Sequence, residues 1–122
     1  MSRPDPALEG APLIPISKVH GVEVFDVDGD KIGEIEDVVL HKLSGRVAYA
    51  LLSWGGFMGV GEQYHPLPWS ALTYDPERGG YVVPLDKEQL RGAPAVPREE
   101  ARQDGGWRER VHQHFQASPY WL

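Results

Sequence analysis

Residues 47–54 read Val47-Ala48-Tyr49-Ala50-Leu51-Leu52-Ser53-Trp54. Val47, Tyr49 and Leu51 alternate with Ala48, Ala50, Leu52 and Trp54, so a strand here is apolar on both faces. Such a strand must be covered on both sides, as a central strand of a barrel or sandwich is. Toward the N-terminus, Leu43-Ser44-Gly45-Arg46 reads as a turn. Ile32–Leu40 precedes it. Ile32, Ile35 and Val39 also fit helical spacing, but Gly33 and the Val38-Val39 pair favour a strand. Val22–Val27 is a further strand, joined through Asp28-Gly29-Asp30, a hairpin signal of the type I′ kind. Toward the C-terminus, Gly55–Gly61 is a glycine-rich connection. Glu62–Leu67 is a shorter strand whose end Pro66 and Pro68 push to an edge. Ala71–Tyr74 and Gly80–Leu85 are two more strands, joined by the turn Asp75-Pro76-Glu77-Arg78-Gly79. Asp86 then reads as the N-cap of a short helix with Gln89 three residues on, and Gly92 and Pro94 stop it.

Six short strands with tight turns predict an all-β (mainly β) fold, a small antiparallel closed β-barrel with a short helix after it. Closing the sheet also removes exposed edges. Residues 1–12, with Pro4, Pro6 and Pro12, read as a flexible lead-in. Residues 13–92 form the barrel, and 93–106 (RGAPAVPREEARQDGG without its first two residues) a linker. Residues 107–122 regain aromatics as a helical C-terminal docking segment.

The 122 residues suit one domain, and the 41% hydrophobic content can build its core. The chain has no cysteine, which excludes disulfides, thiolate catalysis and Cys-ligated metal centres. No apolar run approaches the ~18 residues of a membrane span. The N-terminus shows no basic region followed by an apolar one. A cytoplasmic protein without membrane insertion is the expectation. The net charge is −6, and residues 23–37 alone carry seven acids against Lys31. No Lys/Arg stripe runs along the chain, so nucleic acid is not an expected partner.

Asp26, Asp28, Asp30 and Asp37 occupy the first, third, fifth and twelfth positions of a calcium-loop pattern. Lys31 stands where that pattern needs glycine, so a hairpin turn with solvated acids is the preferred reading. Asp26, Asp28 and Asp30 remain the candidate metal ligands. The loop Gly55-Gly56-Phe57-Met58-Gly59-Val60-Gly61 has glycine spacing in the reverse order of a dinucleotide fingerprint, and no Lys-Ser/Thr follows it. Its Phe57 and Met58 are either tucked over the barrel mouth or offered to a partner. His20, His41, His65, His112 and His114 are scattered, and 112 and 114 fall on opposite sides of a helix. No nucleophile–base pair emerges; no catalytic residue and no cofactor are expected. Trp107, Phe115, Tyr120 and Trp121 would gain nothing from exposure, so they bury against their own barrel or against a second copy.

The run Gly21–Asp26 with Asp28–Asp37 resembles the opening of a PRC-barrel domain. So do Gly45–Ala50, the Gly55–Gly61 loop, Pro66–Tyr74 and Leu90–Pro94. The resemblance covers roughly residues 13–96. It implies the barrel of the cytoplasmic domain of the photosynthetic reaction-centre H subunit and of the C-terminal domain of a ribosome-maturation factor. Those proteins use the barrel as an adaptor or structural module. The resemblance supplies no catalytic motif, and the chain looks like a stand-alone member.

The expected function is therefore a non-catalytic interaction or adaptor module that self-associates as a homodimer. Phe57, Met58, Trp107, Phe115, Tyr120 and Trp121 are its candidate contact residues. The alternative is a barrel holding a small ligand or cation, its cavity ringed by Trp54, Phe57 and Trp69. An accessory role in photosynthetic electron transfer or ribosome assembly rests on analogy alone.

Overall fold

The computed structural model describes residues 13–54, 63–103 and 105–115. The lead-in 1–12, Phe57 and Met58 of the glycine loop, and Tyr120 and Trp121 lie outside the described residues. A helical turn α1 (Ile16–Val19) precedes β1 (Glu23–Phe25), β2 (Lys31–Leu40), β3 (Val47–Trp54) and β4 (Gln63–Pro68). A 3-10 turn at Trp69–Ala71 leads into β5 (Thr73–Asp75) and β6 (Gly80–Val82). Then come α2 (Lys87–Arg91), β7 (Val96–Pro97), α3 (Arg98–Ala101) and α4 (Trp107–Phe115).

The strands form one seven-stranded sheet in the order β5-β6-β1-β2-β3-β4-β7. The expected closed antiparallel barrel is therefore wrong in two respects. The sheet is mixed, because β6 runs parallel to β1 with Val24 opposite Tyr81. It is also open: among the described residues no ladder joins β5 to β7. Prolines limit the pairing at the β4 edge of the sheet. Residues 65–68 of β4 pair with β3, whereas β7 pairs only with Gln63 and Tyr64. Tyr64, Pro66 and Pro68 share the outer side of β4, so the outer ladder stops where backbone donors stop. Alternation in a sequence locates strands, but it does not say which edge a hairpin returns to. Here β6 comes back to the free edge of β1. The approach is close: a Cβ on Gly80 would overlap the Glu23 carbonyl oxygen and press on the Phe25 ring.

The β1–β2 connection also departs from a two-residue turn. The Gly29 N–H donates to the Asp26 carbonyl, and the positive φ (+90°) falls on Gly29, the last residue of that turn. The turn is thus shifted one residue back from a type I′ turn centred on Asp28-Gly29. Asp86 and Gln89 form the expected capping box of α2, Asp86 accepting from the Gln89 N–H at 2.8 Å.

β3 is buried on both faces. Ala50 and Leu52 join Val24, Ile35, Leu67, Val83 and Leu90 in one apolar cluster. Tyr49 and Leu51 join Tyr64, Val96, Ala101, Trp107 and Val111 in the other. The stretch read as a linker carries β7 and α3, with Val96 and Ala101 buried. The C-terminal helices are what cover the second face of β3.

Candidate protein-interaction cleft

α4 is anchored by its first residue. Trp107 is 5% exposed and meets Tyr49 edge-on at 4.8 Å. Its indole N–H donates to the carbonyls of Glu100 and Gln103, both at 3.1 Å. One turn further, Val111 is fully buried, and His112 Nε2 shares a 2.7 Å hydrogen bond with the Tyr49 hydroxyl. These residues recur at helical spacing on one face. At the other end His114 Nε2–H donates to the Gln89 carbonyl at 2.8 Å, and Phe115 packs against both clusters. Trp107 and Phe115, two of the candidate contact residues, thus pack on this chain's own sheet.

Where α3 and α4 meet the far end of the β2–β3 hairpin, a cleft of ≈ 800 Å³ opens. Val39, Leu51, Tyr49 and Trp107 line it. Leu40 and Leu43 stand on its rim, 46% and 94% exposed. Large apolar side chains grouped this way mark an interaction surface more than scattered ones do. Lys42, Arg102 and Arg108 also line it, with Asp37 as the carboxylate among the described lining residues. Asp37 accepts from the Val38 N–H at 2.9 Å and pairs with Arg102 at 3.5 Å. A smaller cleft of ≈ 330 Å³ shares Asp37, Val38 and Arg102, and is completed by His20, Glu36, Tyr64 and Arg98 among others. There Ser53 donates to Glu36 Oε2 at 2.8 Å, and His20 lies 3.5 Å from Glu36 Oε1. The carboxylate sits between hydroxyl and imidazole, whereas a nucleophile–base relay needs the imidazole in the middle.

The acidic turn is organised differently from a cation loop. Asp26 is fully buried, and its Oδ1 accepts from the N–H groups of Asp28 and Asp30, both at 2.9 Å. It braces the turn from inside. Asp28 and Asp30 point to solvent, Asp30 pairing with Lys87 at 3.1 Å. Asp37 lies seven residues along β2 from the turn, at the cleft. Among the described residues no three metal-binding side chains converge. His65 is held apart from both clefts. Burial lowers its pKa to about 4, against the pull of a hydrogen bond to the Pro94 carbonyl. Trp69, placed by the sequence at a barrel mouth, packs on Tyr81 at 5.1 Å.

Leu40, Lys42, Leu43, Arg102 and Arg108 were not singled out in the sequence. The one signal was Leu43, a large apolar residue inside a polar turn. Arg102 falls in the stretch read as a linker and Arg108, six residues on, in the stretch read as a helix, and neither reading places them beside β2.

The sheet is covered on both faces, and the cleft beside its second cover is apolar-lined and edged by cations. The chain belongs to the PRC-barrel domain family, which it matches over residues 12–90. A protein of Deinococcus radiodurans, described only as uncharacterized, is 30% identical over 71 residues. That match takes in 58% of this chain, which spans a quarter (25%) of the relative's length. The cleft draws on Arg102, Trp107 and Arg108, which lie beyond the family match. No helix among the described residues is long and apolar enough to cross a membrane.

Proposed function

We propose that the chain is a non-catalytic, cytoplasmic protein-interaction module that self-associates through the cleft at the β2–β3 turn. The observation that carries this reading is the exposure of Leu40 and Leu43 beside the apolar lining supplied by Tyr49 and Trp107. Covering such a surface releases about 25 cal/mol per Å² of apolar area, part of which offsets the entropy of association. The family resemblance points the same way, toward adaptor modules. Light scattering across a concentration series tests it. The mass should rise from 13.6 kDa toward a dimer as concentration increases. Leu40→Asp with Leu43→Asp should hold it at the monomer. A wild-type mass that stays monomeric at every concentration would end the self-association part.

A further inference from the structure

The cleft and the acidic turn are complementary. Lys42 stands exposed at the cleft, where Arg102 is paired with Asp37 at 3.5 Å and Arg108 is half-buried, in a chain whose net charge is −6. The β1–β2 turn carries the opposite character. Its tip is Val27, 57% exposed, followed by the exposed Asp28, while Asp30 is paired with Lys87 at 3.1 Å. An apolar tip followed by the exposed carboxylate of Asp28 matches an apolar cleft beside the exposed ammonium of Lys42. The two features cannot meet within one molecule. They lie at opposite ends of β2, whose ten residues extend about 30 Å. Two copies set antiparallel about a two-fold axis would bring each turn to the other's cleft.

We infer that the occupant of the cleft is a second copy's β1–β2 turn, Val27 seating between Leu40 and Leu43 while Asp28 faces Lys42. This rests on the self-association reading and adds the surface that the cleft receives. Its charges are exposed, so the contact weakens as salt shortens the screening length from ~10 Å at 0.1 M to ~3 Å at 1 M.

Two full-length variants test it by sedimentation velocity. One carries Val27→Lys with Asp28→Lys, the other Lys42→Glu with Leu43→Asp. All four positions are exposed, so the fold is kept, and circular dichroism checks that. Each variant alone has no matched pair of surfaces and should dimerise at least tenfold more weakly than wild type. Mixed in equal amounts, they retain one intact turn and one intact cleft and should form a mixed dimer. If the turn variant alone dimerises like wild type, cleft meets cleft, and this inference falls while self-association stands. If the mixture stays monomeric where wild type dimerises, it falls as well. A wild type that never dimerises removes both readings and leaves the cleft to a different protein.

Discussion

Trp107→Ala probes the contact on which the cleft depends. The side chain is 5% exposed, and a tryptophan buries up to about 250 Å². At about 25 cal/mol per Å² the transfer contribution has a ceiling near 6 kcal/mol. An unfolded chain that already hides some of this surface lowers it, and core Trp→Ala changes cost about 3–5 kcal/mol. The carbonyls of Glu100 and Gln103 lose an indole donor, but both residues are exposed and water replaces it. The expected loss is therefore about 3–4 kcal/mol, a large part of the ~5–15 kcal/mol that holds a domain together. Trp107→Phe keeps a ring against Tyr49 and should lose only about 1–1.5 kcal/mol. Urea unfolding supplies both values, and hydrogen exchange over residues 107–115 reports whether α4 has lifted from the sheet. A loss below ~1 kcal/mol for the alanine variant, with exchange unchanged, would refute the docking of α4 on β3.

Other perturbations separate the remaining elements. Gly80→Ala forces a Cβ against the Glu23 carbonyl and should cost about 2–3 kcal/mol by urea midpoint; an unchanged midpoint would contradict the β1–β6 spacing. Asp26→Ala strips the acceptor from two backbone N–H groups and should cost about 2 kcal/mol, while Asp28→Ala stays within ~0.5 kcal/mol in thermal unfolding. Equal effects at both positions would deny Asp26 its bracing role. His65 has a folded-state pKa of about 4 against an ordinary value of 6.5, so only the unfolded chain takes up that proton between those limits. Its contribution is complete above pH 6.5 and is lost as pH falls toward 4. His65→Gln should flatten that window of the stability–pH profile, and an unaltered slope would place His65 in water.

The capping box of α2 could be read in advance because Asp86 and Gln89 act on the backbone within one helical turn. The placing of β3 had the same local basis, since two apolar faces in one strand demand two covers. The hairpin at Gly29 was anticipated in kind but not in its turn. Asp26, counted among solvated acids, is buried because its carboxylate satisfies two amides that the shifted turn turns inward. That choice among turns is made by β6, which flanks β1, and by Arg78, whose Nη1 donates to the Gly29 carbonyl at 3.0 Å. Nothing within five residues of Gly29 announces either partner.

By itself the sequence determined the places of β1 to β6, and that its central strand needs two apolar covers. Side-chain alternation and turn chemistry are properties of neighbours along the chain. Only the tertiary structure decided that the sheet stays open, that β6 runs parallel to β1, and that α4 supplies the second cover. The cleft belongs to that second group. Leu43 lies dozens of residues from Arg102 and Arg108, and the three share a surface only because Trp107 carries the C-terminal helix onto Tyr49.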